Sequence, residues 1–125
     1  MDENEIARIV LDICFEIHRE LGPGLLESAY EEILCYELGQ RGLSFERQKG
    51  LPVVWKEIKM DVGYRPDVVV EGKVVVELKS VEVIAKSHPK IVLTYVRISK
   101  MKLGLLINFG APLLKEGIIR LVNKL

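Results

Sequence analysis

Residues 64–80 read YRPDVVVEGKVVVELKS. Two valine runs, 68–70 and 74–76, flank Glu71-Gly72-Lys73. β-branched residues at this density favour strands, and the short polar joint makes the pair a hairpin. If Glu71, Gly72 and Lys73 form the loop, opposed positions sum to 144. Val68 then opposes Val76, Asp67 opposes Glu77 and Arg65 opposes Lys79. Opposed residues share a sheet face. One face therefore carries Val68, Val70, Val74, Val76 and Leu78. The other carries Arg65, Asp67, Val69, Val75, Glu77 and Lys79. A two-residue loop would set Asp67 against Val76 and mix charge into the apolar face. Tight two-residue turns also prefer Asn-Gly or Asp-Gly. An odd loop, or an equivalent bulge, is expected.

This register places the Asp67 and Glu77 Cβ atoms about 4.5–5.5 Å apart. Two carboxylates so close repel each other in a poorly hydrated cleft, and a hard divalent cation relieves the repulsion. Mg²⁺ is commonly held by one or two carboxylates, waters and substrate phosphate oxygens. Lys79, two residues on, could orient water and stabilise developing phosphate charge. The set suits metal-assisted phosphodiester hydrolysis. Spacing alone is better matched by a surface ion-pair network of Arg65, Asp67, Glu77 and Lys79.

Outward from the hairpin, Ile6, Val10, Ile13, Cys14, Ile17 and Leu21 recur at helical spacing, predicting a helix over about 3–21. Gly22-Pro23-Gly24 stops it. A second helix is expected at about 25–40, with Leu26, Ala29, Tyr30 and Ile33 on its apolar side. From Leu43 the texture turns to strands, with a turn near Lys56-Glu57 and an edge or bulge at Pro52. SHPKIVLTYVRIS reads as a helix capped by Ser87 or His88, with Pro89 in its first turn. LGLLINF reads as a buried strand. LLKEGIIRLVN is open between strand and helix. The order predicts one α/β domain over residues 1–125, with a mixed sheet flanked by helices.

The 125 residues are 49% hydrophobic and 29% charged, enough for an aliphatic core in one domain. No apolar run nears the roughly 18 residues that span a bilayer. The acidic start, MDENEIARIV, is unlike a secretory signal, so a cytoplasmic protein without membrane partners is expected. Cys14 and Cys35 fit no metal or CxxC spacing and read as buried thiols. Net charge is zero, yet residues 1–62 hold 7 Lys+Arg and 13 Asp+Glu, and residues 63–125 hold 11 and 5. This asymmetry fits a basic face for an anionic partner, or simply the solvated side of two acidic helices.

Pro66-Asp67 followed by Glu77-Leu78-Lys79 resembles the PD-(D/E)xK nuclease signature. GLLESAY at 24–30, FERQ at 45–48, GYRPD, VELKSVE and LGLLINFG are similar, in order, to the GxxExxY branch of that superfamily. The likeness runs from about Glu16 to Asn123. It implies a restriction-endonuclease-like fold and a metal-dependent nuclease using Mg²⁺ or Mn²⁺. It implies that Asp67, Glu77 and the Leu78 backbone carbonyl bind the metal, and that Lys79 is catalytic. Glu27 would reach the metal directly or through water. Glu31 could substitute for Glu27 by geometry, but the motif favours Glu27. Tyr30, one turn from Glu27, Arg65 and Tyr95 would contact substrate; for both tyrosines core packing is the competing role. His88 reads as a helix-end residue rather than a ligand. The partner implied is nucleic acid, DNA ahead of RNA, and a homodimer would suit cutting of two strands. One position departs: Ile91 stands where the family's helix carries glutamine after its histidine. That departure keeps a second reading, an inactive nuclease-fold module that binds nucleic acid or a protein partner.

Overall fold

The computed structural model describes residues 1–125, apart from the side chain of Val62. Helix α1 spans Glu3–Leu21 and α2 spans Glu27–Gln40. Strand β1 is Phe45–Arg47, β2 Leu51–Trp55, β3 Ile58–Tyr64, β4 Val68–Val70 and β5 Val74–Lys79. Helix α3 is Ser87–Ile98, β6 is Leu103–Asn108, and a 3₁₀ turn at Leu114–Gly117 leads to β7, Ile118–Val122. Five strands form a sheet in the order β1-β4-β5-β6-β7, and β2 and β3 form a separate two-stranded sheet. β5 and β6 run parallel, and the other neighbours are antiparallel. A parallel pair needs a long crossover, which α3 supplies.

The valine hairpin takes the three-residue loop. Val68 pairs with Val76, Val69 with Val75 and Val70 with Val74. Glu71 and Gly72 both adopt positive φ, 54° and 64°. Glycine does this freely, whereas glutamate resists it. Ser44 holds Glu71 there: the Glu71 N–H donates to the Ser44 carbonyl, and the Glu71 carboxylate accepts from the Ser44 N–H and hydroxyl. β1 lies along β4 and supplies this clamp.

The two hairpin faces separate as expected. Val68, Val70, Val74, Val76 and Leu78 join Ile6, Val10, Ile13, Tyr30 and Leu34 in the main core, under α1 and α2. Val75 and Leu106 face Val92 and Val96 of α3 on the other side. β6, buried on both faces, is apolar throughout except Gly104 and Asn108. The C-terminal segment, open in sequence between strand and helix, becomes β7 because β6 offers it a full antiparallel edge from Leu103 to Ile107.

Several expectations need correction. Leu21 and Leu26, assigned to apolar helix sides, are 51% and 77% exposed where the Gly22-Pro23-Gly24 joint carries them away from the core. α3 begins at Ser87, one residue earlier than a Ser87 cap implied and two earlier than a His88 cap; Lys86 precedes it without a side-chain cap bond. The β4–β5 ladder ends at Val68–Val76, so Asp67 and Glu77 do not pair through the backbone. Side chains replace that rung. The bulge expected at Pro52 is present as a register shift between Leu51 and Val53. Both cysteines are buried free thiols. Among the described residues, no helix is long and apolar enough to cross a membrane.

Candidate active site

The site forms where the hairpin ladder stops. The Asp67 N–H donates to Glu77 Oε1 at 2.7 Å, and the Leu78 N–H donates to Asp67 Oδ2 at 2.8 Å. Each carboxylate thus takes a backbone donor from the other strand. Charge-assisted bonds to N–H groups hold an acid more firmly than solvent does. Strand geometry sends the C=O of Leu78 to the same edge as its N–H, toward Asp67.

Glu77 is largely buried, and its carboxyl is pushed up to about 7. Burial is the largest cause, and the Asp67 charge adds to it. The Asp67 N–H and Lys79 pull the other way, while Glu27 adds a further push upward. Lys79 stands half-buried beside Glu77 in a cleft of about 170 Å³, with His88, Ile91 and Tyr95 on the α3 wall. Among the described residues Lys79 makes no side-chain ion pair or hydrogen bond, so its ammonium is available to a ligand.

Glu27 opens α2, where a negative charge suits the helix dipole. Its placement comes from the joint below it. The Tyr30 hydroxyl donates to the Gly22 carbonyl and accepts from the Leu25 N–H. The Ser80 hydroxyl, just past β5, donates to the Leu25 carbonyl at 2.7 Å. These bonds tie the start of α2 to the end of β5, within electrostatic reach of Glu77. Even so, among the described residues no three His, Cys, Asp or Glu side chains gather closely enough to form a metal-holding group. Asp67 and Glu77 form a two-carboxylate set with Glu27 outside it. Two carboxylates and a main-chain carbonyl are an all-oxygen donor set, which fits Mg²⁺ or Mn²⁺.

Other expected residues divide. Tyr30 is 0% exposed and stacks on Phe109 with ring centroids 4.2 Å apart. It anchors the joint and does not face a substrate, because burying its ring against Phe109 leaves no free surface. Tyr95 lines the cleft, backed by Tyr64 at 4.3 Å between ring centroids. Its phenol is held above the usual range by burial and then by the charges of Glu77 and Asp67. Arg65 is exposed on the chain entering Asp67. His88 sits in the first turn of α3, and its Nδ1 is buried without a hydrogen-bond partner among the described residues. Glu31 does not stand in for Glu27. It is 7% exposed and takes a 3.0 Å ion pair from Arg47.

Gln48 is the residue at this site that spacing does not reveal. Its backbone N–H donates to the Asp67 carbonyl at 3.0 Å. Its side-chain nitrogen donates to Asp67 Oδ1 at 3.0 Å and to Glu31 Oε1 at 2.8 Å. Both amide hydrogens are thereby spent on carboxylates, and φ at Gln48 is 49° to permit it. Gln48 orients Asp67. The only sequence signal was its place in FERQ, and nothing there links residue 48 to residue 67.

The profile of the PD-(D/E)XK nuclease superfamily matches residues 4–121. The chain belongs to that superfamily, and its helices and mixed sheet are the restriction-endonuclease-like α/β fold. No curated protein and no solved structure matched the chain.

Proposed function

We propose that this superfamily member hydrolyses phosphodiester bonds of nucleic acid, DNA ahead of RNA, with a divalent cation. The observation that carries the reading is the Asp67–Glu77 pair, cross-linked by backbone bonds beside the unpaired Lys79. Asp67, Glu77 and the Leu78 carbonyl would hold Mg²⁺ or Mn²⁺. When bound, such an ion supplies Lewis-acid polarisation of a phosphoryl oxygen. Gln48 and the Leu78 N–H fix the Asp67 carboxylate before substrate arrives, so little reorganisation is left for the reaction. Lys79 holds an ammonium at the cleft wall, where it orients water and stabilises charge developing on the phosphate. Glu27 adds negative charge beside Glu77 and would act through water. We also place the chain in the GxxExxY branch, on Gly24, Glu27 and Tyr30, with Tyr30 serving as the joint's anchor.

The test is cleavage of labelled linear, nicked and single-stranded substrates with Mg²⁺ or Mn²⁺. Cleavage is expected in the parent and lost in Lys79→Ala and Asp67→Asn. No cleavage of any substrate by the parent would remove the catalytic reading. One observation favours the second reading, a binding module without turnover. Ile91 presents an apolar side chain, 42% exposed, to the cleft where a polar group would help position substrate. Binding of nucleic acid without cleavage in the same assay would select that module.

A further inference from the structure

A second cavity adjoins the catalytic cleft. It has a volume of about 320 Å³ and is lined by Ser87, Lys90, Ile91, Thr94 and Tyr95. Its walls are almost wholly apolar. Ile91 and Tyr95 belong to both cavities, so the shelf is continuous with the cleft holding Glu77 and Lys79. Tyr95 stacks on Tyr64, with ring centroids 4.3 Å apart. Lys90 stands at the shelf, Lys86 directly precedes α3, and α3 itself carries no acidic residue.

A flat apolar seat beside a phosphate-directed cleft, with lysine at its rim, matches the parts of a nucleotide. The base is apolar on its faces, and the phosphate is anionic. Proteins that take unpaired strands combine a basic track with side chains on which bases rest. A base paired within a duplex cannot lay its face on such a shelf without leaving the stack.

We propose that the Ile91–Tyr95 shelf seats the unpaired base next to the scissile phosphate, making single-stranded nucleic acid the preferred substrate. The proposal rests on the phosphodiesterase reading above. It also explains why Ile91 is apolar, since a hydrocarbon side chain suits a base face where a polar one would not.

The experiment is an NMR titration of the full chain in EDTA, so that nothing is cleaved. Three probes are compared: hexadeoxyadenylate, a hexamer of base-free deoxyribose phosphates, and a blunt duplex. The Ile91 methyl signals and Tyr95 ring signals are expected to shift with hexadeoxyadenylate and to stay in place with the base-free strand and the duplex. Ile91→Asn should weaken hexadeoxyadenylate binding about 5- to 10-fold, at the lower end of what one stacked base contributes. Ile91→Leu should bind like the parent. Ile91 is half-exposed, so both variants are expected to fold, and their methyl spectra verify it. Unmoved Ile91 signals on strand binding, equal shifts from the base-free strand, or no binding of any strand would each overturn the shelf. Cleavage with Mg²⁺ is scored separately. Cleavage without Ile91 shifts removes the shelf and leaves the hydrolase; shifts without cleavage do the reverse.

Discussion

Glu77 shows how one carboxyl couples the site to pH. In the unfolded chain it titrates near 4.5, and in the folded protein at about 7. The folded state therefore favours the protonated acid. Its contribution is intact below about pH 4.5 and is lost as pH rises through 7, on the order of 3 kcal/mol for such a shift. The metal-free protein should accordingly show a falling Tm from pH 4.5 to 8. Glu77→Gln should flatten that slope, and an unchanged slope would mean that another group titrates. Gln48→Glu offers a matched test of Asp67. It keeps the side chain's size but sets a carboxylate between those of Asp67 and Glu31. The metal-free variant should be less stable than the parent at neutral pH in urea melts, and added Mn²⁺ should recover part of the loss; Gln48→Ala should show less of both because it removes support without adding repulsion. Tyr30→Phe removes the hydroxyl that serves Gly22 and Leu25, and should cost about 1–2 kcal/mol in urea melts. At this scale the sequence was partly legible. Asp67, Glu77 and Lys79 stood at strand ends where a core residue was expected, and that misfit marked them. Gln48 gave no such sign, because it works through a bond to a residue nineteen positions away whose partner spacing alone cannot reveal.

The valine hairpin and α3 hold the two walls of the cleft. The hairpin could be read because its register has only one solution that keeps charge off the apolar face. The last rung could not, because Asp67 and Glu77 accept backbone N–H bonds with their side chains and end the ladder. α3 was legible as a helix, but its seat on β6 depends on an absent side chain. A Cβ on Gly104 would lie 2.7 Å from Val96 Cγ2 and 2.9 Å from Val92 Cγ1. Gly104→Ala should therefore push α3 outward, destabilise the protein by about 1–3 kcal/mol and displace Ile91 and Tyr95. Adding Val96→Ala should recover part of the loss, and the coupling from the double-mutant cycle measures it. Simple additivity of the two changes would contradict direct packing of α3 on this glycine.

Across the whole molecule, charge follows the layers of the fold. Helices α1 and α2 carry nine acids and two arginines, whereas α3 carries Lys90, Arg97 and no acid. The sheet separates the two layers. Zero net charge thus conceals a basic side, and the cleft opens on that side. Composition showed the asymmetry, but only the crossover through α3 decided which residues share the cleft face. Polyanions should bind with salt-sensitive affinity, and Lys90→Glu with Arg97→Glu should make the salt dependence shallower by about 0.7 for each phosphate no longer neutralised. The hydrolytic reading depends on the Asp67–Glu77 pair receiving a cation. Calorimetric titration of the metal-stripped protein with Mn²⁺ tests that claim most directly. Saturable binding is expected in the parent and in Lys79→Ala, and is lost in Asp67→Asn and in Glu77→Gln. No binding by the parent, or binding unaltered by either carboxylate substitution, would contradict it.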